Sequence, residues 1–511
     1  MAAYFVAVIE VGSEKINGIA GVKNKNGSIE VKAAVSADSS SFVERGMVYN
    51  LNQATACFTA IVRELEKILH THIEKVYTGI GGQSLHTVRN SITRTLTLQT
   101  VISKEIVESI VEQNASSFHS EDWDLLDSIS QEYKVGGFEK TDPVGIIDSQ
   151  IEGHFLNVIA RKEVKKNLED SFRQANIPLA GIFISPLLVA QYLLTDNEKR
   201  TGCVLVDFQY DTTTVVVYQR NILRHLAVLP IGERNVVRDI ANTFNVEDSE
   251  ARSLFRKYGN AYYDDADLNN TNKVIAQADG SPIDRKEFNE TVEARLQEII
   301  ANVWNQLSES RYNENQFRCG VVFTGSSCGV KNLDKAFQQY KKSEIKVRIQ
   351  KVLPIPVTDL SHRIGDNVNA ALSILLEGSD NCAGESLESD IFSHAETGKK
   401  PVVQPQPDPE EERRKLEAER REKEFQLAYE ETGQLIEEKK YKDARKKIKE
   451  LQEQYAQDTD KTELLKLRLT ALMNAERSMP TWWDKIKQKA IEMGKTIIEP
   501  EDKEDEKDRN N

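Results

Sequence analysis

Two periods of apolar residues run along this chain and divide it into parts. Up to about residue 377, short β-branched runs alternate with stretches in which an apolar residue returns every third or fourth position. The runs at 5–11, 203–207, 213–218 and 320–324 predict buried strands, and the stretches 52–70 and 287–307 predict helices with one apolar face. Strands separated by helices are the pattern of an α/β fold. The most apolar later stretch, 181–194, is broken by Ser185 and Pro186 and falls short of the ~20 apolar residues that span a bilayer, so no transmembrane segment is expected. From 378 to 409 the periodicity stops and Gly, Ser, Asp and Pro take over, ending in Pro401-Val-Val-Gln-Pro-Gln-Pro-Asp-Pro409, which predicts a linker stiffened at its end.

Helical spacing returns at 410–476 with few apolar residues among Glu, Lys, Arg and Gln. Leu435, Tyr441, Ala444, Ile448 and Leu451 fall loosely where one tetratricopeptide unit places its packing residues, which predicts a helical hairpin. The plainer reading is a charged helical spacer, because one degenerate unit cannot bury a core alone. The last periodic segment, 480–498, is the clearest. Trp482, Ile486, Ala490, Met493 and Ile497 share one helical stripe, with Trp483 at its edge. Lys487 and Lys489 flank the stripe and Lys485 lies outside its centre, while Thr481 can cap the start and Pro500 marks the end. Indoles and lysines around an apolar stripe predict a helix lying on an anionic membrane surface, with docking onto the hairpin or into a partner's groove as the alternative. The acidic tail 499–511 is not membrane-seeking.

With 511 residues there is room for about three domains. A net charge of -14 excludes general nucleic-acid binding, so any basic function is local. Cys57, Cys203, Cys319, Cys328 and Cys382 lie far apart without metal-binding spacing, which fits a reducing compartment and predicts no structural metal. The apolar N-terminus lacks a basic leader and a small-residue cleavage site, so it reads as a strand.

Two strand-turn-strand segments carry the candidate chemistry: Glu10-Val-Gly-Ser-Glu-Lys15 after the first strand, and Asp207-Phe-Gln-Tyr-Asp-Thr-Thr213 after the second. Such hairpins aim backbone N–H groups and small hydroxyls at phosphate oxygens, while an acidic residue at each strand end positions Mg²⁺ and water. Between and after them come Gln131-Glu-Tyr-Lys-Val-Gly-Gly-Phe-Glu-Lys-Thr-Asp-Pro-Val-Gly145, Ile231-Gly-Glu-Arg-Asn-Val-Val-Arg-Asp-Ile240, Arg256-Lys-Tyr-Gly259 and Val321-Val-Phe-Thr-Gly-Ser-Ser327. In that order these segments resemble the bacterial cell-division family FtsA, of the actin-like superfamily. The resemblance covers about 5–377, with a second anchor at the terminal helix.

The resemblance implies a two-lobed actin-like ATPase fold. It places the first lobe at 1–83 and 161–203, an inserted family-specific subdomain at 84–160, the second-lobe core at 204–232 and an outer part at 233–311. A return and closing segment at 312–377 follows, then the linker 378–409, the helical segment 410–476 and the terminal helix 480–498. It implies ATP with Mg²⁺ as cofactor, with nucleotide contacts at Glu10, Gly12, Ser13, Lys15, Asp207, Thr212, Thr213, Gly232, Arg252, Phe255, Gly325 and Ser326. It also implies self-association, other division proteins as partners, and the tubulin-like FtsZ docking its C-terminal peptide on 233–311, where Arg285, Lys286 and Arg295 are candidate contacts. The expected place is the cytoplasmic face of the cell membrane at the division site. A pilus-assembly scaffold like PilM and an ATP-hydrolysing enzyme of the superfamily are the alternatives.

The chain departs from the family where nucleotide contacts are expected. Glu14 puts a carboxylate near phosphate, and Gln209, Tyr210 and Asp211 stand where small residues are usual. Gly232-Glu-Arg replaces Gly-Gly-Asp. Arg252 cannot accept a bond from a ribose hydroxyl, whereas Phe255 could stack on adenine. A weakened or non-hydrolysing site is therefore expected.

Overall fold

Every side chain from Phe5 to Glu10 is buried, so this run needs a hydrogen-bonded neighbour on both sides and packing on both faces. In the computed structural model it is β1 (Tyr4–Val11), paired antiparallel with β2 (Lys15–Lys23) and parallel with β6 (Val76–Ile80). The structure describes residues 4–23, 29–263, 274–277, 280–354, 357–358 and 368–383, and then 441–455 with scattered positions between 425 and 472. The terminal stripe predicted at 480–498 lies outside the described residues.

In the first lobe β2 continues into β3 (Ile29–Asp38), a small hairpin β4 (Val43–Glu44) and β5 (Met47–Val48), and α1 (Leu51–Leu69) before β6. The chain then leaves through β7 (His86–Val101), α2 (Lys104–Ser117), β8 (Trp123–Val135), β9 (Phe138–Lys140) and β10 (Ile147–Arg161). It returns as α3 (Lys162–Gln174), β11 (Leu179–Ile184), α4 (Ser185–Leu193) and α5 (Asp196–Thr201). The apolar stretch 181–194 is thus half strand and half helix, divided at Ser185, with Pro186 in the first turn of α4 where its missing N–H costs nothing.

The second lobe repeats the plan. β12 (Cys203–Phe208), β13 (Thr213–Gln219) and β14 (Ile222–Leu229) form an antiparallel meander. Then come α6 (Glu233–Phe244), α7 (Asp248–Tyr258), β15 (Val274–Ala276), β16 (Pro282–Asp284) and α8 (Arg285–Glu309). They are followed by β17 (Val321–Thr324), α9 (Leu333–Lys341), β18 (Val347–Ile349), β19 (Val357–Thr358) and α10 (Asn369–Glu377). The first sheet runs β11-β6-β1-β2-β3, closed by β19, and the second contains β18-β17-β12-β13-β14. A meander flanked on one side by two parallel strands therefore occurs twice, which is the actin-like two-lobed plan. The closing helix α10 is buried from Asn369 to Leu376 against the first lobe.

The excursion β7–β10 belongs to the first lobe in sequence, yet its strands extend the second lobe's sheet. Ala227 of β14 pairs with His86 of β7, giving the order β14-β7-β10-β8-β9. A buried ion pair backs this junction: Arg224 on β14 grips Glu132 on β8 through bonds of 2.5 and 2.8 Å. Arg89 on β7 donates to the Ser310 carbonyl at the end of α8 at 2.6 Å. The interval 233–311 shares one hydrophobic core with the second-lobe sheet, Val206 and Val215 packing in the same cluster as Val236, Phe288 and Trp304.

Residues 378–383, expected to open the linker, are tied to the first lobe: the Cys382 N–H donates to the Phe5 carbonyl at 2.8 Å, and Cys382 and Ala383 are buried. In 410–476, read as a helical hairpin or a charged spacer, the described apolar residues share a core. Phe425, Ala444, Ile448, Leu451, Leu465 and Leu472 are buried together, with α11 (Tyr441–Gln454) supplying the middle three. Apolar residues from three stretches pool into one small core that no single unit could bury.

Candidate functional site

The turn after β1 and the turn after β12 face each other across a cleft between the lobes. Each strand ends on a carboxylate, Glu10 opposite Asn17 in the first hairpin and Asp207 opposite Thr214 in the second. The enclosed space is about 140 Å³, lined by Glu10, Gly12, Ser13, Lys15, Asp207, Thr212 and Ser326 among the residues predicted for this site. Gly81, Gly82, Ser185 and Thr214 also line it. The sequence signals for these were a glycine pair after a strand and a Ser-Pro helix start, neither specific enough to single out.

Burial decides the state of the two carboxylates. Desolvation pushes Glu10 up to about 7, against a donated bond from Asn17 Nδ2 at 3.4 Å and with the charge of Asp207 adding to the rise. Desolvation likewise pushes Asp207 up to about 7, opposed by the Gln209 Nε2 bond at 2.6 Å. Two carboxyls that resist ionising together are chemically suited to a divalent cation, which would keep both charged.

Each residue that departs from the family pattern has a protein partner. Arg252 on α7 reaches across the cleft and holds Glu14 in a fork, Nη1 to Oε1 at 2.5 Å and Nη2 to Oε2 at 2.7 Å. Its Nε donates to Glu233 Oε1 at 2.8 Å, and its guanidinium lies 4.6 Å from the centre of the Tyr210 ring. Burial acts to raise the Glu14 carboxyl, but the Arg252 bonds and charge, with Lys15 and Arg256, outweigh it and hold Glu14 below the ordinary carboxylate range. Asp211, also buried, accepts the Arg45 N–H from the first lobe at 3.0 Å and faces Arg234 at 3.5 Å. Gln209 ties Asp207 to Ser326, whose hydroxyl donates to Gln209 Oε1 at 3.3 Å.

Several expected contacts are placed elsewhere. Phe255 is buried in the second-lobe core, so its ring is not presented to a ligand: the apolar stripe of α7, with Ala251 and Leu254, claims it for packing. The Thr213 hydroxyl is turned inward and donates to the Ile231 carbonyl at 2.8 Å. Gly232 and Gly325 shape the turns. A Cβ on Gly232 would sit 2.5 Å from the Tyr210 carbonyl, and Gly325 has φ of +97° with the Phe208 carbonyl 2.4 Å from any added Cβ. Of the basic residues on α8, Arg295 is committed to Asp239 at 2.6 Å, and Arg285 stacks over Tyr258 at 5.2 Å. Lys286 is exposed and lies 3.7 Å from Glu290.

Glu10 and Asp207 suit Mg²⁺, whereas Arg252 is engaged by two carboxylates and Phe255 lies inside the core, so neither of these two is presented to a nucleotide.

Known proteins place the chain in context. Residues 204–385 match the profile of the family described as cell division protein FtsA. The cell division protein FtsA of Porphyromonas gingivalis is 28% identical over 358 residues, 68% of this chain and 73% of that protein. That of Escherichia coli is 22% identical over 366 residues, 70% of this chain and 86% of its own length. Among solved structures, a chain of a PilM-PilN type IV pilus biogenesis complex is 14% identical with a TM-score of 0.49, covering 73% of this chain and 98% of that one.

Proposed function

From the FtsA family of cell-division proteins, to which this chain belongs as a divergent member, we propose that it holds polymers of the tubulin-like partner FtsZ against the cytoplasmic membrane at the division site. In this reading the actin-like body self-associates, the second lobe takes the partner's C-terminal peptide, other division proteins gather on the assembly, and the terminal segment grips anionic lipid. The observation that carries it is the join of a family body to a segment whose Trp482, Ile486, Ala490, Met493 and Ile497 fall in one stripe beside Lys485, Lys487 and Lys489.

Co-sedimentation with vesicles rich in phosphatidylglycerol tests it. The full chain is expected in the pellet, and a chain ending at residue 476 in the supernatant. Replacing Trp482 and Ile486 by Glu is expected to release the protein while a titration with FtsZ's C-terminal peptide stays unchanged. If that double variant pelleted like the parent, the segment would be a docking element and the tether reading would be lost.

A further inference from the structure

The contacts between the hairpin turns and the opposite lobe carry an inference about how the cleft closes. Glu14 is the outermost acidic residue of the first-lobe turn, and it meets Arg252 from the second lobe in a two-bond fork. Arg252 is itself fixed in place. Its Nε bonds Glu233, which is 1% exposed and also accepts the Ser327 hydroxyl at 2.5 Å, and Tyr210 covers its face. A guanidinium so held loses little freedom when it takes a second carboxylate, and the planar fork matches that carboxylate's geometry. A second bond crosses beside it, from the Arg45 N–H of the first lobe to the Asp211 carboxylate of the second.

We propose that Glu14, Arg252 and Glu233 form a protein clasp that holds the two lobes closed with no nucleotide between them. Closure is then a property of the folded chain rather than of a bound phosphate chain and its cation. This rests on reading the cleft as the family's nucleotide cleft; membrane and peptide capture are measured separately by sedimentation and titration, so the two readings fail on different experiments.

The Arg45 amide is the natural reporter, because it donates to the Asp211 carboxylate on the other lobe. Hydrogen exchange of the full chain, stripped of nucleotide with a chelator and phosphatase, is followed for the peptide carrying Arg45 and for β12 as an internal reference. Glu14→Lys, which sets two cations face to face and leaves the Arg252 bond to Glu233 intact, is expected to speed exchange at Arg45 by about ten- to hundredfold, the range a lost charge-assisted pair permits. Glu14→Gln, which keeps the shape and loses the charge, is expected to fall between it and the parent. Exchange in β12 is expected to stay slow in both, which shows that each variant is folded. Adding ATP with Mg²⁺ to the parent is expected to change nothing at Arg45. The proposal is overturned if both variants exchange like the parent, or if the stripped parent exchanges as fast as Glu14→Lys and slows only when ATP and Mg²⁺ are added.

Discussion

Glu10 shows how burial at one position sets a property of the whole protein. Its carboxyl is pushed from an ordinary 4.5 to about 7, so the folded state binds a proton that the unfolded chain releases across that window. The stability contributed by the protonated form is full below about 4.5 and is lost as pH rises through about 7. A shift of that size corresponds to about 3 kcal/mol at pH 8. Glu10→Gln, which keeps an acceptor for Asn17 without a charge, is expected to unfold at a higher temperature than the parent at pH 8 and at the same temperature at pH 4.5. Thermal unfolding followed by circular dichroism across that range checks it; equal midpoints at pH 8 would mean the carboxylate is already neutralised by a cation. Glu14, four residues further along, behaves oppositely, its charged form being kept by Arg252.

At the scale of elements, the helical segment 410–476 shows what a local window misses. Apolar residues in 410–476 are sparse in any short window, and a window cannot see that Phe425, Ile448 and Leu465 converge. Residues 397–511 separate from 1–396 as a compact unit of their own. Ile448→Asp places a charge where a fully buried isoleucine packs, at a cost of several kcal/mol. Proteolysis of this variant is expected to clear the helical segment while leaving a fragment ending near residue 396 intact. Survival of the segment at the parent's rate would mean that its helices stand without the shared core. In the second lobe, the buried fork between Arg224 and Glu132 joins elements that sequence order assigns to different lobes.

For the molecule as a whole, the departures at the cleft converge on one consequence. Glu14, Gln209, Tyr210 and Asp211 each have an intramolecular partner, so protein contacts cross the turns where phosphate contacts were expected. Steady-state phosphate release from ATP is therefore expected to be no greater than in the double variant Glu10→Gln, Asp207→Asn; a clear excess in the parent would show that the clasp opens often enough for turnover. Membrane attachment follows a different logic. If the stripe at 480–498 forms the proposed surface helix, it would bury only part of two indoles, two isoleucines and a methionine, and ordering it would oppose the gain. Many copies joined in a filament make each later contact intramolecular, which raises avidity by about 10²–10⁴ with no new contact.

Local pattern alone determined the strands at 5–11 and 203–207, the helices near 52–70 and 287–307, the order of the two phosphate-type hairpins and the terminal stripe, because each depends on which face of a short segment is apolar. The boundaries agree to within a few residues, as in α1 at Leu51–Leu69 and α8 at Arg285–Glu309. What only the tertiary structure decided were pairings between distant residues: Arg252 with Glu14 across 238 positions, β7 with β14, Cys382 with β1, and the turning of Phe255 into the core. A carboxylate beside a phosphate loop reads as a defect when its neighbours in sequence are all that is known. Only the fold brings up the guanidinium that neutralises it, since the strength of a charge pair depends on distance and burial and neither is written in a local period.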